Sequence, residues 1–221
     1  MLVYKHISPS PVHELSAKMV GKQRWYKTPE GNFYPSITTV LGIKEKPALI
    51  AWRKSLGASK ADAETARAAY RGEMVHLMCE KALMNNPNPT EGQKLEHIKL
   101  FTQLKFALKR IDNIRIQEKP VFSNLFEVAG RVDVVAEYEG VLSVIDFKTS
   151  NNNKSDEMVE DYFIQETFYA LAYREVYGEK INRIVTIMAV ENGGLPMIWR
   201  KSITPYLYPL EQRVNAFYQS L

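Results

Sequence analysis

Two aspartates set inside apolar, strand-prone runs constrain this chain more than any other feature. Val128 to Tyr138 and Val141 to Thr149 are rich in Val, Ile and Phe, and Glu139 and Gly140 between them suit a two-residue hairpin turn. If Tyr138 pairs with Val141, the residue numbers of every cross-strand pair share one total, and Asp133 falls opposite Asp146. Directly opposed side chains on one sheet face have Cβ atoms about 4.5 to 5.5 Å apart, where like charges repel. A cation is needed to resolve that conflict. Strand alternation puts Lys148 on the same face as Asp146, so two carboxylates and an amine are expected to converge. Oxygen ligands with open coordination positions suit Mg2+ or Mn2+, which bind a phosphate oxygen and lower the pKa of a bound water. Lysine can orient that water or stabilise the transition state.

The surrounding pattern places this hairpin in a mixed fold. NNPNPTEG at 85 to 92 is a loop that separates a mainly helical front part, residues 1–88, from a back part, residues 89–221. The two form one compact unit. In front, a short hairpin is expected around Pro29, Glu30 and Gly31, then a helix capped by Ser36, a helix from Pro47 to Leu56 and a long helix over 60–84 that carries His76. Behind the loop, Gln93 to Ile111 reads as an amphipathic helix with Leu95, Ile98, Phe101, Leu104 and Leu108 on its apolar side. Strands follow at 114–122, 128–138 and 141–149, then a helix over 157–177 stopped by Gly178, strands at 182–190 and 195–203, and a last helix with Thr204 as cap and Pro205 at its first position. The fold class is therefore α/β.

Bulk properties narrow the setting. A single cysteine, Cys79, excludes an intrachain disulfide and any multi-cysteine zinc or iron–sulfur site within one chain. The net charge of +4 permits a polyanionic partner without demanding one. No secretory leader, organelle transit peptide or membrane-length apolar run is apparent, so a cytoplasmic protein without a membrane partner is expected, from a viral or bacterial source rather than an organelle-targeted precursor.

At these residues the chain resembles the PD-(D/E)XK nuclease superfamily, and within it the RecB-like exonuclease branch with its mitochondrial and phage members. The resemblance is carried by RGEMVH at 71 to 76, Glu118 in QEKPVF, GRVD ending at Asp133, VIDFKTS with Asp146 and Lys148, then Gln165 and Tyr169 on the next helix; YPSITTVL and Trp52 extend it forward. It implies a restriction-endonuclease-like core of helix, three-strand meander, helix and strand. It also implies Asp133 and Asp146 as ligands of Mg2+ or Mn2+, Lys148 as the catalytic lysine and His76 as a further metal ligand. Glu118 would accept a hydrogen bond or bind metal beside the aspartates, and Gln165 and Tyr169, four apart on one helix face, would reach the site or the nucleic-acid backbone. Branch members with an iron–sulfur cluster use four cysteines, so no cluster is expected here.

The front part offers means of holding a substrate. Lys22, Arg24, Lys27, Lys44, Lys46, Arg53 and Lys54 alternate with Trp25, Tyr26, Phe33, Tyr34 and Trp52, a mixture that suits single strands, where cations follow phosphates and aromatics stack on bases. Ser36, Thr38 and Thr39 can donate to a phosphate or cap their helix, and Arg71 is a further candidate DNA contact. The expected activity is exonucleolytic hydrolysis of single-stranded DNA ends. The alternatives are a structure-specific or duplex endonuclease on the same core, or a non-catalytic nucleic-acid-binding module. Without a helicase phosphate-binding loop, unwinding would fall to a separate helicase or recombinase.

Overall fold

The computed structural model describes residues 3–7, 9, 14–44 and 47–221; Lys46, one of the candidate DNA-contacting cations, lies outside them. Three short strands come first: β1 (Ser16–Val20), β2 (Gln23–Lys27) and β3 (Phe33–Pro35), an antiparallel sheet. Helices α1 (Ile37–Leu41), α2 (Pro47–Leu56), α3 (Ala58–Leu83) and α4 (Leu95–Leu108) follow. The back part runs β4 (Ile111–Ser123), β5 (Val128–Tyr138), β6 (Val141–Ser150), α5 (Asp156–Tyr177), β7 (Arg183–Val190), β8 (Met197–Ser202) and α6 (Leu207–Gln219). The expected helix, three-strand meander, helix and strand are all present. The front part is less helical than its sequence suggests, because β1 pairs with β2 although all five of its residues are exposed.

The second sheet has the order β4-β5-β6-β7-β8, with β6 and β7 parallel and the other neighbours antiparallel. Helix α5 is the crossover that parallel neighbours require. Because strand side chains alternate, β6 and β7 build a core on each face. Val144, Ile184, Met188 and Val190 pack with α1, α5 and α6, whereas Ile145, Phe147, Val185 and Ile187 pack with α3 and α4. Front-part helices are thus built into both cores.

The hairpin between β5 and β6 has the expected register, with Tyr138 paired to Val141 and Val134 to Ile145. Its turn residues Glu139 and Gly140 both have positive φ, 52° and 75°, as a tight right-twisted hairpin requires. Arg110 and Arg200 each pair with the Glu139 carboxylate and hold that conformation in place. Gly178 likewise ends α5 at φ 77°, its N–H donating to the Arg174 carbonyl.

Two expectations change. Leu95, the first residue of α4, is 68% exposed, whereas Phe101, Leu104 and Leu108 are buried as expected, joined by His97, Leu100 and Ala107. Thr204 and Pro205 lie in a 3-10 turn, Thr204–Tyr206, that precedes α6, so Thr204 is not that helix's cap.

Candidate active site

The large sheet parts where the two aspartates would pair. The β5–β6 ladder stops at Val134–Ile145, while β5 continues along β4 to Ser123–Val128 and β6 along β7 to Ser150–Val190. In the opening, the Phe147 N–H donates to Asp133 Oδ2 at 2.9 Å, a side chain standing in for the missing strand partner. The register of β4 adds a third carboxylate to the row. Gln117 pairs with Val134 and Lys119 with Val132, which leaves Glu118 opposite Asp133. Glu118 has φ 51°, a left-handed conformation that non-glycine residues seldom adopt outside turns and functional sites.

Helix α3 brings an imidazole to this row. His76 Nδ1 lies 3.3 Å from Asp133 Oδ2, and one donor atom each from His76, Glu118 and Asp133 lies within 4.8 Å of the others. Asp146 is 1% exposed; its Oδ2 pairs with the Lys148 ammonium, and its buried Oδ1 has no hydrogen-bond partner among the described residues. A buried oxygen of this kind is costly unless something else binds it. The cleft these residues line has a volume of about 550 Å³ and reaches Arg24, Tyr26, Ser36 and Thr38 of the front part.

The electrostatics follow from burial. Desolvation pushes the Asp146 carboxyl up to about 6, with Lys148 opposing the rise and Asp133 adding to it. Desolvation and the neighbouring Asp133 push Glu118 up to about 7, against the pull of the Arg131 guanidinium 2.8 Å away. Burial works against the Lys148 ammonium, but Asp146 and Asp133 outweigh it and hold its pKa above the usual lysine range. Lys148 also stands 5.0 Å from the Tyr162 ring centroid, so it is a positioned cation rather than a base.

The other sequence-predicted residues divide. Gln165 and Tyr169 both line the cleft, and Gln165 Nε2 donates to the Tyr169 hydroxyl at 2.8 Å. The Tyr169 ring lies against Gly130, where an added Cβ would come 2.6 Å from Tyr169 Cε1 and 3.2 Å from Ile37 Cγ2. Gly130→Ala is therefore expected to displace Tyr169 and cost about 1 to 3 kcal/mol, measurable by denaturant unfolding; an unchanged midpoint would contradict this packing. Ser36 and Thr38 reach the cleft, although Ser36 also caps α1 by accepting the Thr39 N–H at 3.1 Å. Thr39 is turned to the Arg24 backbone, whose N–H it accepts at 3.1 Å, and neither Thr39 nor Trp52 lines the cleft. Of the interleaved aromatics, Tyr26 and Tyr34 are buried and Trp25 packs on Phe217, while Phe33 is exposed.

Arg71 is placed in the interior rather than on the cleft. It is 4% exposed, and its guanidinium donates to Asn151 Oδ1 at 2.6 Å, Glu191 Oε2 at 2.7 Å and Thr149 Oγ1 at 3.4 Å. This network ties α3 to the ends of β6 and β7 and so fixes the helix that carries His76. Arg71→Met is expected to cost about 3 kcal/mol because it strands polar partners in a half-buried site; a thermal midpoint within a degree of the parent would refute that.

Three residues at the site went unassigned in the sequence. Glu80 lines the cleft one helical turn beyond His76, a spacing that the i, i+4 rule would have flagged. Arg131 stands two residues before Asp133. Glu166 is fully buried beside Gln165, its Oε1 accepting the Thr186 hydroxyl, and desolvation, then Asp146, pushes its carboxyl well up.

Residues 47–193, about two thirds of the chain, match the PD-(D/E)XK nuclease superfamily. The chain belongs to that superfamily. The order of strands and helices agrees with the restriction-endonuclease-like fold expected of a member. It is also similar to mitochondrial genome maintenance exonuclease 1, 28% identical over 131 residues of the mouse protein and 30% over 148 residues of the human one. Those matches cover 56% and 62% of this chain but only 39% and 40% of the relatives, so the chain spans less than half the length of either. A crystal structure of a candidate exonuclease from Eubacterium rectale superposes with a TM-score of 0.47 at 17% identity, covering 69% of this chain and 66% of that one. The expected viral or bacterial source draws no support from the curated relatives, which are mammalian. Among the described residues no helix is long and apolar enough to cross a membrane.

Proposed function

We propose that the chain is a divalent-metal-dependent DNA exonuclease acting on single-stranded ends. The observation that carries this reading is the buried Asp146 carboxylate, one oxygen paired with Lys148 and the other without a partner among the described residues, near Asp133 at the opening of the sheet. The donor set fits a hard cation: donor atoms from His76, Glu118 and Asp133, one each, stand together, and the Asp146 carboxylate lines the same cleft without being part of that group. Mg2+ or Mn2+ held there would activate a water and neutralise charge at the scissile phosphate.

The chain's own side chains supply the rest. The Lys148 ammonium, fixed between Asp146 and the Tyr162 ring, donates to the attacking water or to an oxygen of the phosphorus as charge builds on it. Gln165 and Tyr169, joined by their hydrogen bond, present a rigid amide and phenol edge to the strand. Ser36 and Thr38 offer hydroxyls to the next phosphate, and Arg24 adds a cation at the same wall. Because front-part elements form one wall, the cleft suits a strand end better than a continuous duplex, and duplex unwinding is left to a separate helicase or recombinase.

The test is a time course with 5′-labelled and 3′-labelled single strands, a duplex and a closed single-stranded circle, each with Mg2+, Mn2+ or chelator. Stepwise shortening of the linear strands, with the circle spared and chelator blocking, is expected. A circle cut as fast as the linear strand would point to endonuclease action, and binding without cleavage in any metal would point to a non-catalytic module.

A further inference from the structure

The side chains of the cleft alone give it the wrong charge for a nucleic acid. Glu73, Glu80, Glu118, Asp133 and Asp146 line it against Arg24, Arg131 and Lys148 among the described residues. Lys148 is committed to Asp146, and Arg131 Nε is committed to Glu118 Oε2 at 2.8 Å. A polyanion approaching this surface meets more carboxylates than free cations, and repulsion between like charges opposes binding.

Arg131 differs from Lys148 in its exposure and from Arg24 in being paired with a carboxylate of the site. Its side chain is 54% exposed at the cleft mouth, whereas its partner Glu118 is only 19% exposed and faces His76 and Asp133. A guanidinium and a divalent cation cannot both neutralise the one carboxylate at full strength, and the ion carries twice the charge. We propose that Arg131 is a metal-coupled switch residue: it holds Glu118 in the metal-free chain and, once a divalent cation takes that carboxylate, turns to bind a phosphate of the incoming strand. The planar fork that fits a carboxylate fits a phosphate equally well, so one side chain serves both partners in turn. Metal binding then prepares the cleft for DNA twice over, by removing negative charge and by releasing a cation. Arg131 is thereby a substrate-positioning residue. The proposal rests on the metal-nuclease reading above.

Arg131→Gln and Arg131→Lys test it, since a half-exposed side chain can be changed without disturbing either core. Mn2+ binding is followed by calorimetry without DNA, and binding of a labelled single-stranded oligonucleotide by anisotropy, in a Lys148→Ala background, with Mn2+ or with chelator. Arg131→Gln is expected to bind Mn2+ about five-fold more tightly because a competing charge is gone, and to bind DNA about five-fold more weakly in Mn2+ but not in chelator. Arg131→Lys should keep the Mn2+ affinity near the parent but lose part of the DNA affinity in Mn2+, because an ammonium lacks the planar fork. Unchanged or weakened Mn2+ affinity in Arg131→Gln overturns the proposal, as does an equal loss of DNA affinity with and without metal. Absence of Mn2+ binding to the parent chain would instead overturn the metal-nuclease reading, and this proposal with it.

Discussion

Replacing Lys148 by alanine is expected to slow phosphodiester cleavage about 10³-fold, the scale on which a single donor aimed at developing charge contributes. Binding of single-stranded DNA should change far less, because the ammonium is 17% exposed and already paired with Asp146. Single-turnover cleavage of end-labelled DNA measures the first quantity and fluorescence anisotropy the second. A cleavage rate within ten-fold of the parent would remove Lys148 from the mechanism. The same substitution leaves the buried Asp146 carboxylate without its cation, so the metal-free variant should also unfold at a lower temperature. Added Mg2+ should recover part of that loss if Asp146 is a ligand, which separates the structural effect from the chemical one.

Stability should depend on pH and metal together. Glu118 and Asp146 titrate at about 7 and about 6 in the folded chain, above the ordinary carboxylate values that hold when it unfolds. Between those limits the folded chain retains protons that the unfolded chain has released, so metal-free stability falls as pH rises from about 4 to about 7 and then levels off. Below that window their contribution is complete. A divalent cation replaces the protons. At about 100 times its dissociation constant it contributes about 2.7 kcal/mol, which for a chain of this size raises the thermal midpoint by about 5 to 10 °C. The rise should be large at pH 8 and small at pH 5, where protons compete for the same oxygens. Asp146→Asn should show little response to Mg2+ at either pH and a lower metal-free midpoint at pH 8, because the Lys148 ammonium loses its counter-ion. A metal-induced rise of equal size at both pH values would refute this coupling.

The parts legible in the sequence are those governed by local rules. The β5–β6 hairpin could be read because its apolar runs are long and its turn admits few conformations; the expected pairing of Asp133 with Asp146 is not formed, because the ladder ends at Val134–Ile145 and Asp133 takes the Phe147 amide instead. Helix α5 announced its end through Gly178. What stayed hidden depends on partners distant along the chain. The SAKMV segment has neither burial nor alternation to mark it, and becomes β1 only because β2 offers it an edge. Arg71 resembles a surface cation until Glu191 and Asn151, both far along the chain, enclose it. The pairing of Arg131 with Glu118 needs two strands to meet before it exists at all. Leu95 misled because it opens α4 on the side of the helix away from Leu104, whereas Phe101, Leu104 and Leu108 are buried as expected.

Asp133 holds the Phe147 amide with the same carboxylate that faces His76. Selection for folding alone would therefore preserve this aspartate. In a lineage without any nuclease activity, Asp133 would persist as a relic of the sheet's construction. Among relatives, retention of the aspartate is thus weak testimony to activity.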